Sequence, residues 1–269
     1  MLEISNAYWM GCGMIFDFRT YLGESFDGTR QSVDELLTRM DTLEIDMALV
    51  CPLKPYSYDL IDANRDLAFI VDQHKDRLVG AARVDPWQPD ASQALRRAVE
   101  LLGLQALYLN PWEETFQVDI DRVDNLLALA AEYKIPLLVS TGYPWLSEAL
   151  QVCKLAARWP DVPIIMTNGG QINISGLGQA DVTLALRKAA NLYFDTAGIY
   201  RQDFIEEIVE EFGGERVLFG SGAPYFDQQY ELMRIQVAKV SQKNRQAMLY
   251  GNSHHLLNMK PSLKKAVSD

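Results

Sequence analysis

Eight short β-rich runs, each followed by a segment with helical patterning, set the main constraint on what this chain can fold into. The runs are Met14–Phe18, Met47–Cys51, Leu78–Val84, Ala106–Leu109, Leu137–Ser140, Ile164–Thr167, Leu192–Asp195 and Val217–Gly220. Most are unbroken apolar stretches. That suits strands buried on both faces, as in a parallel sheet covered by helices. In the first connection, Ser32-Val33-Asp34-Glu35 reads as a capping box, and Val33, Leu36, Leu37, Met40 and Leu43 fall at helical spacing. Similar stripes run through Leu60–His74, Ala91–Leu102, Val123–Tyr133, Leu146–Arg158, Thr183–Ala190, Phe204–Phe212 and Tyr230–Ala238. A parallel strand returns through a right-handed crossover, and eight such units in 269 residues favour a sheet that closes on itself over an open, doubly wound one. No Gly-x-Gly-x-x-Gly follows the first run, which weakens the dinucleotide-binding alternative. The expected fold is a single α/β domain, a (β/α)8 TIM barrel over residues 1–258, with a polar tail at 259–269.

The formal net charge of −11 argues against nucleic acid or an acidic membrane as partner, because either would repel this surface at long range. It leaves room for a small anionic ligand in a locally positive pocket. The opening MLEISNAYWMGCG lacks the basic and apolar regions of a signal peptide, and no stretch reaches the length of a bilayer span. Cys12, Cys51 and Cys153 form neither a disulfide framework nor a zinc knuckle. The expectation is a cytoplasmic protein. A homo-oligomer is compatible with such a chain.

In barrels of this kind chemistry sits at the carboxyl ends of the strands. The residues there include Asp17, Arg19 and Tyr21, then Cys51 and Lys54, Arg83 and Asp85, Asn110, Ser140 and Thr141, Thr167 and Asn168, Asp195 and Thr196, and Ser221 and Gly222. Asp17, Arg19 and Tyr21 are spaced by two, so an extended strand puts them on one face. They form either a polar cluster aimed into the mouth or an Asp–Arg pair that closes the rim with Tyr21 as packing.

Several segments resemble the amidohydrolase family, in the branch of small-acid decarboxylases and lactone hydrolases. Ile15-Phe16-Asp17-Phe18-Arg19-Thr20-Tyr21-Leu22-Gly23 is similar to the family's opening I-I-D-x-H-x-H-x-G. The stretches Leu78–Pro86, Ile135–Gly142, Trp159–Gly170 and Glu215–Tyr225 resemble its third, fifth, sixth and eighth strands, and Gly251-Asn252-Ser253 its final G-N-A. The resemblance implies a barrel whose mouth holds a divalent metal. At the matching positions, however, the two strand-one histidines are Arg19 and Tyr21. The strand-five and strand-six histidines are Ser140 and Asn168, and the strand-eight aspartate is Gly222. Arginine has no lone pair to give a metal, and serine, asparagine and glycine are weak ligands or none.

The expectation is therefore a family member with no metal and no other cofactor. Its partner would be a small anionic organic molecule anchored by Arg19 and oriented by Arg83, Asn110, Ser140, Asn168 and Ser221. Asp17, Tyr21, Asp85 and Asp195 are the candidate proton carriers for a metal-independent lyase, isomerase or hydrolase. Cys51 is a core residue or a nucleophile without a histidine partner. Alternatives are a non-catalytic ligand sensor or partner subunit, and a metal-dependent hydrolase or decarboxylase, with Asp17, Asp85 and Asp195 able to offer oxygen to a hard ion.

Overall fold

The computed structural model describes residues 13–172 and 178–259. The expected tail lies outside the described residues from position 260 onward, as do Cys12 and the opening segment.

The strands are β1 (Phe16–Glu24), β2 (Arg30–Gln31), β3 (Met47–Pro52), β4 (Leu78–Arg83), β5 (Ala106–Leu109), β6 (Leu137–Val139), β7 (Ile164–Met166), β8 (Leu192–Asp195) and β9 (Val217–Leu218). They form one curled sheet of nine strands in the order β2-β1-β3-β4-β5-β6-β7-β8-β9. All pairings are parallel except that of β2, which folds back on β1. Beyond these ladders, backbone hydrogen bonds join β1 to the residues that follow β9. Phe18 N donates to Phe219 O (2.7 Å), Gly222 N to Arg19 O (2.8 Å) and Tyr21 N to Ala223 O (2.9 Å).

The connecting helices are α1 (Val33–Thr42), α2 (Leu60–Gln73), α3 (Ala91–Glu100), α4 (Asp121–Tyr133), α5 (Ala149–Arg158), α6 (Gly178–Lys188), α7 (Gln202–Phe212) and α8 (Gln228–Val237), each within a few residues of a sequence stripe. The capping box forms as read: Glu35 N donates to Ser32 Oγ, and Ser32 N donates back to Glu35 Oε2.

Strand alternation divides the apolar residues into two cores. Ala48 and Val50 face the helices with Leu36, Leu67 and Leu95. Met47, Leu49 and Cys51 face the inside of the curl with Phe16, Phe18, Val79, Ala81, Leu138 and Ile165. The inward series turns polar at its carboxyl end. Val79 and Ala81 are followed two residues on by Arg83, and Ala106 by Tyr108 and then Asn110. This places a polar floor above an apolar plug.

Two differences from the sequence expectation matter for the site. β1 starts later and runs six residues further than the run Met14–Phe18, because Arg19, Thr20 and Tyr21 are buried with partners. Its register against β3 also shifts between Asp17 and Thr20. This bulge breaks the period of two and turns Asp17 away from the other members of its expected trio.

Candidate functional site

Arg19 is at the centre of the polar floor and is almost fully buried. Its Nε donates to Asp195 Oδ2 at 2.5 Å and its Nη2 to Asp195 Oδ1 at 3.0 Å, a two-pronged pair across the curl from β1 to β8. Nη1 donates to the Tyr21 hydroxyl at 2.8 Å, and Nη2 also donates to Asn168 Oδ1 at 3.1 Å. Asp195 Oδ1 accepts further from the backbone N–H groups of Asn168 (2.9 Å) and Ala197 (3.2 Å). Burial opposes charge on the guanidinium, but the Asp195 carboxylate and its hydrogen bonds outweigh that and hold its pKa well above the ordinary value. Arg19 is therefore a cation whose charge Asp195 balances within the fold.

The local backbone makes room for this group. Gly222 has a φ of +63°, and a Cβ built there would lie 3.2 Å from Arg19 Nη1 and 2.9 Å from the Phe226 ring. Any side chain at 222 would press on the guanidinium. Asn168 holds a left-handed φ of 59° in a short turn after β7, which aims its carboxamide at Arg19.

From Arg19 a hydrogen-bonded chain crosses the floor. The Tyr21 and Tyr108 hydroxyls are 3.2 Å apart, and Asn110 Nδ2 donates to Tyr108 Oη at 3.2 Å. Burial raises the pKa of both phenols, so they are protonated at neutral pH. Tyr225 packs edge-on to Tyr21 at 5.5 Å, and Ser140, the candidate after β6, bonds to Tyr143.

Asp17 belongs to a separate cluster. Its carboxylate accepts from Ser221 N (2.8 Å), Ser221 Oγ (2.5 Å), Gln228 Nε2 (2.9 Å) and Arg19 N (3.3 Å). With no cation against it, burial outweighs these bonds and raises its pKa to about 6. Asp17 and Ser221 thus tie β1 to the far end of the sheet and to α8.

Arg83 and Asp85 lie elsewhere at the mouth. Arg83 Nη2 donates to Glu113 Oε2 (2.5 Å) and Glu114 Oε1 (2.6 Å), and its guanidinium lies over the Tyr108 ring. Lys54 Nζ adds a contact of 3.6 Å to Glu114. Asp85 accepts from Trp87 N and Gln88 Nε2, on the wall of a pocket of about 530 Å³ between the amino ends of α2 and α3. Cys51 is buried beneath the floor, and desolvation pushes its thiol up to about 12, which removes it as a nucleophile.

Tyr108, Glu113, Glu114 and Gln228 were not among the sequence candidates. Tyr108 could have been found, since it precedes Asn110 by two on one strand. The two glutamates sit in a loop without periodicity. Gln228 meets Asp17 across 211 residues of chain, a contact no local pattern announces.

A curled parallel sheet with a polar floor at its carboxyl ends defines an α/β protein of the kind that houses enzymes and binding sites in its βα-loops. The amidohydrolase family model matches residues 59–259, and the chain belongs to that family. The match begins after β1, which carries Arg19 and Tyr21. No curated protein matches.

Among solved structures, the chain is similar to 5-carboxyvanillate decarboxylase from Sphingomonas paucimobilis (15% identity, 92% of this chain and 99% of that one, TM-score 0.72). It is similar to 2,6-dihydroxybenzoate decarboxylase from Rhizobium (17%, 93% and 99%, TM-score 0.73). It also resembles a dihydroxybenzoic acid decarboxylase from Polaromonas, solved with manganese and 2-nitroresorcinol (15%, 93% and 97%, TM-score 0.72).

The donor set at the floor does not fit such a cation. Both oxygens of Asp195 already face a guanidinium, and Glu113 and Glu114 are taken up by Arg83. Among the described residues, no group of three or more histidine, cysteine, aspartate or glutamate side chains could hold a metal. His74 ends α2, and His254 and His255 lie in the last short helix, Asn252–Leu256. No helix among the described residues is long and apolar enough to cross a membrane.

Proposed function

We propose that this chain is a metal-independent amidohydrolase-family protein that binds a small aromatic acid at its mouth, with Arg19 in the place a divalent cation holds in its relatives. In this reading, the bonds between β1 and the residues after β9 close the curled sheet into a parallel (β/α)8 barrel. The observation that carries the proposal is the two-pronged Arg19–Asp195 pair. It fixes a permanent positive charge at the centre of the floor and supplies that charge with its own counter-ion.

What remains for a ligand is a set of hydrogen-bond donors. Arg19 bonds the carboxamide oxygen of Asn168, so the Asn168 NH2 group points away from it. Asn110 Oδ1 accepts from Glu113 N, which leaves its second N–H beyond the one given to Tyr108. One Nη1 hydrogen of Arg19 is also uncommitted. A floor that offers donors takes acceptors, such as a carboxylate with adjacent phenol oxygens. Two ligands of the relatives present such acceptors: 2,6-dihydroxybenzoate, a carboxylate between two phenol oxygens, and 2-nitroresorcinol, with a nitro group in the carboxylate's place.

Binding is favoured over turnover by one feature: the candidate bases at the Arg19 floor are occupied. Asp195 is in the ion pair, Asp17 is held by its four donors, and the Cys51 thiol is pushed up to about 12. A lyase reaction on the bound acid would draw its proton from the Tyr21–Tyr108 pair, whose phenols burial keeps protonated.

The test is fluorescence titration of metal-stripped protein with 2,6-dihydroxybenzoate. Saturable binding is expected, weakened at least tenfold, about 1.4 kcal/mol, by Asn168→Asp. That variant keeps the acceptor for Arg19 but replaces the free donors with negative charge. Unchanged affinity, or binding that needs added manganese, contradicts the proposal. Release of CO2 by the same metal-stripped protein would decide for lyase over binder.

A further inference from the structure

Beyond the donors of the floor, the mouth holds an uncommitted acceptor, on Glu113. The backbone of this residue is fixed on both sides. Its N–H donates to Asn110 Oδ1 at 3.2 Å, and its carbonyl accepts from Lys54 Nζ at 2.5 Å. One side-chain oxygen, Oε2, accepts from Arg83 Nη2. Among the described residues the other, Oε1, has no hydrogen-bond partner, and it is not sealed in. The Glu113 side chain is 14% exposed, against 1% for Glu114, which both Arg83 and Lys54 reach. A carboxylate oxygen so placed can accept from a donor that enters the mouth.

A chain of contacts runs from Arg19 to Glu113. Arg19 bonds the Tyr21 hydroxyl, which meets that of Tyr108, and the Tyr108 ring lies under the guanidinium that holds Glu113. Two further phenols flank this line. Burial raises the pKa of Tyr143 and its bond to Ser140 lowers it; beyond these, Glu113 raises it and Arg19 lowers it, so both charges act on one hydroxyl. Burial and then Glu113 raise Tyr225, whose ring packs on Tyr21. Tyr143 is backed by Trp112, stacked at 5.0 Å. The line is polar at both ends, with free donors at Arg19 and a free acceptor at Glu113, and aromatic along its sides.

We infer that Glu113 is a specificity-determining residue that accepts, through Oε1, from a phenol hydroxyl across the ring from the ligand's carboxylate. This rests on the reading of the floor as an aromatic-acid site and adds a second requirement to the ligand, a donor. The donors of Arg19 and Asn168 take the carboxylate, Glu113 repels it, and the group that reaches Glu113 is the one para to it. A hydroxyl suits Glu113 better than an ammonium, because Arg83 and Lys54 stand against Glu113 and repel a further cation. An O–H donated to a carboxylate is also a charge-assisted bond, stronger than a neutral one.

The probes are 2-hydroxybenzoate, 2,4-dihydroxybenzoate and 2-hydroxy-4-methoxybenzoate, titrated calorimetrically into the full, metal-stripped chain at pH 7. They differ only at the para position. The 4-hydroxy acid is expected to bind at least tenfold more tightly than either of the others, since the methoxy group has bulk but no donor. Glu113→Met should abolish that gain and leave 2-hydroxybenzoate binding unchanged. Arg83 keeps Glu114 in this variant, so it is expected to fold; circular dichroism checks that, and the methoxy comparison needs no variant. Binding of 2-hydroxybenzoate with no gain from the 4-hydroxyl, an equal gain from the 4-methoxyl, or a gain that survives in folded Glu113→Met overturns this inference and leaves the floor reading in place. Binding of none of the three overturns both.

Discussion

Replacing Arg19 by methionine is expected to lower the stability of this protein by about 3–5 kcal/mol at pH 7, the range for breaking a buried ion pair from one side. Methionine has similar length and fills much of the space. The loss therefore comes from Asp195, whose carboxylate is 0% exposed and would keep only the backbone N–H groups of Asn168 and Ala197. The cause can be isolated by a second change. In Arg19→Met/Asp195→Asn the side chain is neutral and its oxygen can still accept those two bonds. The double variant should recover about 2 kcal/mol of the loss. Urea denaturation of the three proteins measures both differences. A loss below about 1 kcal/mol for the single variant, or no recovery in the double one, would show that the pair does not hold the floor together.

Asp17 predicts a dependence on pH. Its pKa is raised from 3.8 to about 6 in the folded protein, chiefly by desolvation. The folded state therefore binds a proton more tightly than the unfolded chain does. Its contribution to stability is fully present below pH 3.8 and is lost as pH rises through about 6. Between pH 4 and pH 7 the change amounts to about 2–3 kcal/mol.

Asp17→Asn should remove it. The asparagine oxygen can accept from Ser221 N, and its NH2 can donate to Ser221 Oγ. The Gln228 amide can turn over to present Oε1, which has no partner in the wild-type protein. The difference in unfolding free energy between wild type and variant should shift by this amount across the interval, in favour of the variant at higher pH. Parallel curves for the two proteins would mean that folding leaves the pKa of Asp17 unshifted.

The sheet was legible because buried parallel strands write themselves as apolar runs, and the helices because their stripes and the Ser32–Glu35 box are local signals. Of the floor, Arg19, Tyr21, Asn110, Asn168 and Asp195 were legible too, since the carboxyl ends of strands are fixed once the strands are, whereas Tyr108 was missed. What those members do to one another was not. The pattern Asp17, Arg19, Tyr21 implies one face, but a bulge sends Asp17 to Ser221 and leaves Arg19 with Tyr21. Arg19 reads as an anion anchor until Asp195, 176 residues away, is seen to take its charge. Arg83 reads the same way until Glu113 and Glu114 arrive from a loop with no periodicity. Charge compensation is a long-range property of the fold, so a list of strand-end residues gives the groups without their net sign.

In the proposed reading the Arg19 guanidinium takes the place of a divalent cation such as the manganese bound by the Polaromonas decarboxylase. Crystals grown in excess manganese and measured for its anomalous scattering test it most directly. No anomalous peak is expected between Arg19, Asp195 and Asn168, with the ion pair intact. A manganese ion bound by Asp195, with Arg19 swung out of the floor, would contradict it.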